Sequence, residues 1–429
     1  MSDEVDEQPR RSRRRRVAGK LRYIASGHDT GGAQERAPLV LSADQQVVFD
    51  AVSSWAKSPN GTISFAGYAG TGKTSVLGML GQHFRQERKL RVAYCSFTGK
   101  AATVLRRKLK DQGIVPDYCG TIHRLIYTPA AEDGDGELAW TLREALPFDL
   151  VVIDEASMVG RDLYDDLRSF GIPILAVGDH GQLPPVGSEA FSLVENPDYR
   201  LERIHRQAAD NPIIAFSQHI RETGQIRGFR VDDPRIRWSQ NIRADARAVM
   251  DVDDCFDRCC ISYTNASRID TNTAVRKARG FSGSVKVGDL VICLKNAYFD
   301  NGMLANGSRG IVTKMEVEDE PRVRVEVLML DDNCIFSGHV NVAQFGRKEL
   351  FTLDTLRETY PDTKFNKVED GGLLFDYGYA LTGHKSQGSQ YGVVVVDSYV
   401  PGMIDPDTKR RWLYTATTRA SEQLVINRT

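Results

Sequence analysis

The sequence predicts an α/β protein with two parallel β-sheets. A phosphate-binding loop joins a buried strand to a helix, hydrophobic strands alternate with amphipathic helices after it, and a second alternation begins near residue 257. Such alternation places successive strands side by side in parallel, with functional groups at their carboxyl ends. Functional side chains are therefore expected where the predicted strands end.

The most informative stretch is residues 67–74, GYAGTGKT, which fits the phosphate-binding pattern G-x-x-x-x-G-K-[ST]. Thr62 to Ala66 predicts a short buried strand before it, and Ser75 to Arg85 predicts an amphipathic helix after it. The free N–H groups of that helix N-terminus would face an anion. A glycine-rich turn beside a chance lysine would lack this strand and helix. The candidate phosphate-binding residues are Gly67, Gly70, Thr71, Gly72, Lys73 and Thr74.

Catalytic side chains are expected around the bound phosphates. Lys73 is placed to reach the β- and γ-phosphates, and the Thr74 hydroxyl to bind Mg²⁺. An apolar strand beginning at Leu150 ends in Asp154, which would hold the Mg²⁺ shell, and Glu155, which would polarise the attacking water. Consecutive acids are also common at helix starts, but the phosphate-binding pattern upstream favours catalysis. The implied cofactors are ATP and Mg²⁺.

Composition excludes some classes of protein. The 429 residues are 41% hydrophobic and 26% charged, which is typical of a soluble chain of two or three domains. No apolar run approaches the length of a membrane span, and the charged N-terminus lacks a signal peptide's apolar core. We therefore expect a cytoplasmic protein with no membrane partner. Cys255, Cys259 and Cys260 cluster without a nearby histidine pair, which favours buried structural cysteines over a metal site.

Residues 1–38 are expected to form a disordered, arginine-rich tail. They carry nine basic and six acidic residues, a net charge of +3, whereas the remainder carries 47 basic and 51 acidic residues, a net charge of −4. Six arginines lie between residues 10 and 16. Such a run is either an arm for nucleic acid or localisation, or a solubilising tail. The acidic body can bind a polyanion only through a local groove.

Several polar side chains lie at predicted strand ends and helix starts. Gln45 lies in the first turn of a helix that Ser42 can cap, and its amide suits the N6 and N7 groups of adenine. Read alone, Gln45 is equally well a surface residue. Thr98 and Thr121 follow predicted strands, where a hydroxyl contacts a phosphate or simply caps a helix. Gln182 follows a later strand and is placed to sense the γ-phosphate.

Two segments interrupt the α/β pattern. Residues 126–148 predict a β-hairpin with the acidic turn EDGDGE. Residues 311–375 combine alternating hydrophobic stretches with turn residues and predict a small all-β insertion. The second α/β pattern has no phosphate-binding loop of its own, so it cannot be an independent ATPase.

The order of these motifs resembles the superfamily 1 DNA helicases of the RecD/Dda type, the 5′→3′ branch. Residues 41–45 resemble the Q motif, residues 67–74 motif I, and residues 152–158 motif II. SFTGKAA and GTIHRL resemble two DNA-contacting motifs, while VGDHGQLPPV, LERIHRQ, YALTGHKSQGSQ and LYTATTRASEQL resemble motifs III to VI. The resemblance covers roughly residues 39–429, and the shared order is more specific than any one motif.

The resemblance implies a P-loop NTPase architecture of two RecA-like domains with ATP in the cleft between them. In this family a β-hairpin, the pin, splits the duplex, and the resemblance assigns this role to the predicted hairpin. Its acidic turn lacks an aromatic residue, although Trp140 lies on its second strand. The implied divisions are a disordered tail at 1–38, the first RecA-like domain at 39–208 with a pin hairpin near 126–148, the second RecA-like domain at 209–310 and 376–429, and an SH3-like β insertion at 311–375.

The resemblance also implies functional residues. Arg206 and Arg419 would reach the γ-phosphate from the far side of the cleft, and Gln182 would sense that phosphate. Gln45 would read adenine, and Gly388 would belong to the nucleotide site. The implied nucleic-acid contacts are Thr98, Lys100, Thr121, His123, Thr382 and His384.

These inferences predict an ATP-dependent DNA helicase that translocates 5′→3′ on single-stranded DNA and unwinds duplexes in replication, recombination or repair. The expected partners are single-stranded and forked DNA, with a single-strand-binding protein or replisome component, and we expect an active monomer. A translocase that remodels forks while unwinding poorly is the alternative within the same chemistry, and the motifs do not exclude RNA. The intact Lys73, Asp154, Glu155 and Arg419 disfavour a non-catalytic nucleic-acid-binding protein.

Overall fold

The computed structural model of the protein describes residues 19–23, 40–129, 140–185, 191–204, 210–252, 255–299, 302–317, 321–330, 334–365 and 368–428. Within these ranges, the main elements are two parallel sheets flanked by helices and one antiparallel sheet. The predicted α/β class is confirmed. No helix among the described residues is long and apolar enough to cross a membrane.

The strands in chain order are β1 (Gly19–Tyr23), β2 (Thr62–Gly67), β3 (Val92–Ser96), β4 (Tyr118–Thr121), β5 (Tyr127–Pro129), β6 (Trp140–Leu142), β7 (Leu150–Asp154), β8 (Ile174–Gly178), β9 (Tyr199–Leu201), β10 (Ile236–Ser239), β11 (Arg258–Ser262), β12 (Leu290–Cys293), β13 (Ala297–Phe299), β14 (Gly302–Leu304), β15 (Arg309–Val317), β16 (Arg322–Met329), β17 (Cys334–Asn341), β18 (Phe375–Tyr377), β19 (Ala380–Thr382), β20 (Tyr391–Val396) and β21 (Ala420–Asn427). The described α-helices are α1 (Ala43–Trp55), α2 (Lys73–Gln86), α3 (Gly99–Asp111), α4 (Ile122–Ile126), α5 (Arg161–Arg168), α6 (Pro212–Thr223), α7 (Ile242–Met250), α8 (Asn265–Ala278), α9 (Leu353–Thr359), α10 (Gly383–Ser386) and α11 (Pro406–Thr417).

The first parallel sheet has the strand order β4-β3-β7-β8-β2-β9. Its strands alternate between two cores, because Val151 and Ile153 lie in one apolar cluster and Leu150 and Val152 lie in the other. Strand β2 lies between β8 and β9, so the loop that follows Gly67 begins at the carboxyl edge of this sheet. We call this sheet with α1–α5 the first α/β region.

The second parallel sheet has the order β10-β21-β20-β11-β19. It is also covered on both faces, since Val394 and Val396 pack in one apolar cluster and Val395 packs in another. Helices α6 and α11 pack against each other, as do α7 and α8. We call this sheet with α6–α8, α10 and α11 the second α/β region.

The antiparallel sheet has the order β1-β17-β16-β15-β12-β18. Strands β15, β16 and β17 form its long centre, and residues of β16 alternate strictly between exposed and buried positions at its start. The predicted all-β insertion at 311–375 is therefore built as a sheet, but β12 and the first residues of β15 lie before residue 311. The recruited strands complete a core that the insertion alone would leave open.

The expectation that residues 1–38 are wholly disordered is wrong for residues 19–23. These residues form β1, an edge strand paired antiparallel with β17 from Gly19–Gly338 to Tyr23–Cys334. Leu21 is buried in the apolar core of the sheet, while Lys20 and Arg22 are exposed. One buried residue in a polar stretch is too short a pattern to predict a strand from sequence. The strand forms because it pairs with β17. The arginines at 10–16 lie outside the described residues.

The predicted hairpin at 126–148 is present at its base. Strands β5 and β6 pair antiparallel, from Tyr127–Leu142 to Pro129–Trp140. The predicted acidic turn lies in residues 130–139, which are outside the described residues. A role of this hairpin as a pin therefore stays a prediction.

Candidate functional site

The phosphate loop, residues 67–74, joins β2 to α2 as predicted. Gly70 and Gly72 have φ values of +82° and +77°, which a residue with a Cβ rarely adopts. A Cβ at Gly67 would clash with the Thr71 Oγ1 atom. No side chain caps α2 at Gly72, so its first N–H groups stay available to an anion.

The Lys73 ammonium lies within this loop. Its Nζ donates to the carbonyl oxygens of Gly67 at 2.6 Å and Tyr68 at 3.1 Å, and lies 3.8 Å from Asp179 Oδ2. The Thr74 hydroxyl, at the start of α2, accepts a hydrogen bond from Lys108 Nζ at 3.4 Å. Both groups lie at the junction of the loop and α2, and their contacts with phosphate and metal stay predictions.

The acidic pair lies at the end of β7, next to β3 and β8. Asp154 ends the strand, and Glu155 has a φ of +56°, a conformation that is strained for a residue with a side chain. Burial, and next the charge of Asp154, raises the pKa of Glu155, while Arg419 and Lys73 oppose that rise. The Glu155 Oε2 atom is buried with no hydrogen-bond partner among the described residues. A buried, unsatisfied carboxylate oxygen fits a group that acts on a substrate or on a water bound with it.

The loop after β8 brings Asp179 and Gln182 beside the phosphate loop. Both side chains are buried, and Gln182 Nε2 lies 3.4 Å from Asp179 Oδ2. The Oε1 atom of Gln182 has no partner among the described residues. The free amide oxygen is consistent with the predicted sensing of a bound nucleotide.

Arg419 approaches the same site from the second α/β region. Its guanidinium is buried and donates to the carbonyl oxygens of Thr415 and Ser389, at 3.1 and 3.0 Å. Of the positive charges that oppose the raised pKa of Glu155, that of Arg419 has the larger effect, ahead of Lys73. Arg206, the other predicted arginine, lies outside the described residues.

Two predicted nucleotide contacts have different surroundings from those expected. The Gln45 amide accepts from the Ser42 N–H at 3.0 Å and donates to the Thr71 carbonyl at 3.1 Å, so it ties α1 to the phosphate loop. Gly388 lies against α3, where an added Cβ would be 3.1 Å from Thr98 Oγ1 and 3.2 Å from Ala101 Cβ. Gly388 therefore permits close approach of the two regions, and its predicted contact with nucleotide gains no support from this position.

A large cleft of about 1060 Å³ lies between the two α/β regions. Both regions and the segment around β14 and β15 contribute to its walls. Five of the six predicted nucleic-acid contacts line it, namely Thr98, Lys100, His123, Thr382 and His384.

The hydroxyls of Thr98 and Thr121 serve as helix caps. Thr98 Oγ1 accepts from the Ala101 N–H at 3.1 Å, and Thr121 Oγ1 accepts from the Arg124 N–H at 3.3 Å. The cap leaves the phosphate contact of Thr98 a prediction, because a capping oxygen keeps its own proton to donate. Thr121 is buried and is not among the residues that line the cleft.

The comparisons with known proteins agree with this geometry. The AAA domain family matches residues 40–239, and the UvrD-like helicase C-terminal domain family matches residues 377–426. The chain is 28% identical to the ATP-dependent RecD2 DNA helicase of Deinococcus radiodurans over 93% of its own length, and 23% identical to the ATP-dependent DNA helicase Pif1 of Campylobacter jejuni over 84% of its length and 86% of that protein's. The chain belongs to the RecD/Pif1-like helicases of superfamily 1.

Two further similar proteins match most of this RecD/Pif1-like chain. It is 31% identical to the uncharacterized protein R530 of Acanthamoeba polyphaga mimivirus, over 83% of this chain and 93% of that protein. It spans half the length of the RecD2 protein. A crystal structure of Pif1 helicase from Bacteroides in complex with ADP-AlF3 and ssDNA shares the fold, with a TM-score of 0.52 at 19% identity over 91% of this chain and 92% of the other.

The cleft of this RecD/Pif1-like chain contains residues that the sequence analysis missed. Phe97, Phe191 and Tyr263 bring aromatic rings to its walls, and rings of this kind stack on nucleic-acid bases. Lys385 also lines the cleft, where burial first and Arg268 second lower its pKa to about 8. Both Phe97 and Lys385 are direct neighbours of predicted contacts, so the motif strings SFTGKAA and GHKSQG contained them.

The cysteine cluster is part of the core. Cys255, Cys259 and Cys260 are buried thiols, and burial raises the pKa of Cys260 well above its ordinary value. Within the described ranges, no group of three or more His, Cys, Asp or Glu side chains is arranged to hold a metal ion. These cysteines pack as small apolar side chains in a RecD/Pif1-like second region.

Proposed function

We propose that this RecD/Pif1-like chain is an ATP-dependent DNA helicase that translocates 5′→3′ on single-stranded DNA and unwinds duplex DNA. One observation supports the proposal most strongly: the phosphate loop and the cleft meet the same boundary between the two α/β regions. The Arg419 charge opposes the raised pKa of Glu155 across this boundary, and a Cβ at Gly388 would lie 3.1 Å from Thr98 Oγ1 across it. A movement that closes one site must therefore change the other.

The proposed reaction is hydrolysis of the bond between the β- and γ-phosphates. The helix α2 N–H groups and Lys73 hold the phosphates, and Glu155 accepts the proton of the water that attacks the γ-phosphorus. Arg419 balances the charge that develops as ADP leaves. The Thr74 hydroxyl and the Asp154 carboxylate are hard oxygen ligands that suit Mg²⁺, which when bound would neutralise phosphate charge. The unsatisfied oxygens of Glu155 and Gln182 fit a pocket completed by substrate.

The proposed nucleic-acid path is the cleft. Neutral donors such as Thr98, Thr382 and the half-buried His384, whose pKa burial lowers, suit phosphate contacts on a chain that is acidic outside its tail. Contacts to phosphates do not depend on the base sequence, and a protein that moves along DNA requires this independence. The aromatic rings of Phe97 and Tyr263 add stacking that every base satisfies.

Direction, pathway and partners rest on the resemblance of the ordered motifs. We propose the 5′→3′ direction, a role in DNA replication, recombination or repair, and action as a monomer, because both sides of the cleft come from one chain. We also propose that the hairpin β5–β6 acts as the pin and that the antiparallel sheet acts as an SH3-like subdomain. A single-strand-binding protein or replisome component is the proposed partner.

The test compares duplexes that carry only a 5′ single-stranded tail with duplexes that carry only a 3′ single-stranded tail, with ATP and Mg²⁺. Rapid separation of the 5′-tailed substrate and little separation of the 3′-tailed one is expected. The opposite preference would overturn the direction. ATP hydrolysis stimulated by single strands, without separation of either substrate, would favour a translocase that remodels forks, and no hydrolysis would overturn the enzyme proposal.

A further inference from the structure

A buried tyrosine of the second α/β region connects the phosphate loop to the loop after β8. Tyr414 lies on α11, five residues before Arg419, and is 1% exposed. Its Oη atom lies 2.8 Å from the Ala69 nitrogen in the phosphate loop and 2.8 Å from Asp179 Oδ2. The hydroxyl therefore joins three segments that are far apart in sequence.

The direction of these two hydrogen bonds is fixed by chemistry. The Ala69 N–H can only donate, and the Asp179 carboxylate can only accept, so the single Tyr414 proton points at Asp179. Burial, and then the Asp179 charge, raises the pKa of Tyr414 well above its ordinary value, so the hydroxyl keeps this proton. A hydrogen bond to a carboxylate is stronger than one between neutral groups.

Asp179 connects this hydroxyl to the catalytic groups. Its Oδ2 atom lies 3.8 Å from Lys73 Nζ and 3.4 Å from Gln182 Nε2, and its Oδ1 atom accepts from the Gly181 N–H at 2.9 Å. Phosphates that bind Lys73 compete with Asp179 for the lysine charge. The carboxylate would then depend more strongly on Tyr414, its donor from the other region.

Packing holds the tyrosine ring in place independently of its hydroxyl. The Tyr414 ring meets the Tyr68 ring edge to face, with centroids 6.1 Å apart, and a Cβ at Gly181 would lie 3.1 Å from it. The next residue, Thr415, accepts the Leu183 N–H at 3.0 Å, and Gln387 donates to the Leu183 carbonyl at 2.7 Å. A phenylalanine at 414 would keep the ring in this frame and remove only the hydroxyl.

We propose that Tyr414 is a positioning residue for ATP hydrolysis, which holds Asp179 and Gln182 against the phosphate loop and transmits phosphate binding at Lys73 to the second α/β region. The proposal rests on the proposed ATPase function. Tyr414 acts through Asp179 and touches no reacting atom. Through its hydroxyl, Tyr414 couples the nucleotide state of the phosphate loop to α11, the helix that leads to Arg419.

The test is Tyr414→Phe in the full chain. The expected result is a fall in kcat for single-strand-stimulated ATP hydrolysis of about ten- to a hundredfold, with KM for ATP changed less than threefold. The change in single-strand affinity that a non-hydrolysable ATP analogue causes should also shrink at least threefold. A purely structural tyrosine would leave that analogue-dependent change in affinity intact.

Tyr379→Phe is a matched control. The Tyr379 hydroxyl also accepts a backbone N–H, from Leu290 at 3.1 Å, and donates to a buried carboxylate, Asp289 at 3.0 Å. Both tyrosines are buried, but Tyr379 makes its bonds within the second half of the chain. Both variants should lower the melting temperature to a similar extent, while Tyr379→Phe keeps kcat and the analogue effect within twofold of the unsubstituted chain.

A double-mutant cycle with Asp179→Asn tests the route. Asp179→Asn should itself lower kcat. In the Asp179→Asn background, Tyr414→Phe should then lower log kcat by less than half as much as it does in the unsubstituted chain. Full additivity, or a Tyr414→Phe kcat within twofold of the unsubstituted chain, would overturn the inference. Each variant is compared with the ATP turnover of the unsubstituted chain. If the unsubstituted chain does not hydrolyse ATP, that result would overturn the proposed function and not the role of Tyr414 within it.

Discussion

In each parallel sheet, one strand leads through a short loop into a helix, but the N-termini of these two helices are capped differently. After β2, five residues lead to α2, and Gly72 at its start has a left-handed backbone with no side-chain cap. After β11, two residues lead to α8, and the Thr264 hydroxyl accepts the Ser267 N–H at 3.1 Å. The first helix leaves its N–H groups for an anion, whereas the second uses its own hydroxyl. The two junctions share a strand–loop–helix arrangement, and the uncapped one is where the sequence predicts phosphate binding.

Two buried ion pairs of the second half contrast with two buried oxygens near the phosphate loop. The guanidinium–carboxylate pairs Arg268–Asp376 and Arg276–Asp289, which link α8 to the antiparallel sheet, are closed ion pairs of 2.5 and 2.9 Å. By contrast, Glu155 Oε2 and Gln182 Oε1 in the first region are buried without a partner among the described residues. The two pairs satisfy their own charges, whereas the two oxygens lie beside the phosphate loop, where the sequence predicts the nucleotide.

Removing the positive charge of the first region should have the largest effect. Lys73→Ala leaves the β- and γ-phosphates without their point charge, so ATP turnover should fall by about 10³-fold or more, to background. Phosphate release stimulated by single strands measures this. Lys57→Ala, an exposed lysine of the same region, should keep normal turnover. Turnover above a tenth of normal in Lys73→Ala would contradict the assignment of the phosphate site.

Removing the charge that the second region supplies should have the next largest effect. Arg419→Ala should lower kcat by about 10³-fold while ATP affinity changes little, because the contact strengthens in the transition state. Affinity for a fluorescent ATP analogue and kcat are measured separately. Arg410→Ala, on the outer side of α11, the helix that precedes Arg419, serves as the control. A raised KM with an unchanged kcat would make Arg419 a ground-state ligand only.

Single-strand binding should depend on pH through Lys385 in the cleft. Its pKa of about 8 means that Lys385 is charged below pH 8 and loses its charge as the pH rises through that value. Phosphate favours the charged form, so affinity should weaken above pH 8, by at most about tenfold per pH unit for one proton. Titrations between pH 7 and 9.5 measure this dependence.

Lys385→Arg and Lys385→Met sharpen the pH test. The arginine stays charged throughout this range, so its affinity should not fall as the pH rises. The methionine has no charge to lose, so its affinity should be weaker at pH 7 and equally flat. An unchanged pH profile in both variants would assign the effect to another group.

Removing the cap of the second region should have the smallest effect. Thr264→Ala leaves the first N–H groups of α8 without their side-chain acceptor, which costs about 1 kcal/mol of stability. Thermal unfolding should show the loss, while kcat at saturating single strands should stay within twofold of normal. Thr264→Ser, which keeps the hydroxyl, should restore the stability. A loss of turnover as large as that of Arg419→Ala would mean that this junction also serves catalysis.

The sequence by itself determined the nucleotide site and the class of fold. The spacing of Gly67, Gly72 and Lys73 between a strand and a helix is a local property, because backbone geometry and helix polarity follow from neighbouring residues. The same holds for Asp154 and Glu155 at the end of an apolar strand. The cap at Thr98 was also open to prediction, since an N-cap depends on one turn of helix.

Only the tertiary structure decided which of these residues meet. Strand β1 exists because β17 offers it a free edge, and Gln45 turns its amide to Thr71 because α1 packs on the phosphate loop. Gly388 contacts Thr98, and Tyr414 reaches Ala69 over a separation of 345 residues. Contacts of this length depend on how two separately folded sheets dock, and no local periodicity encodes that arrangement.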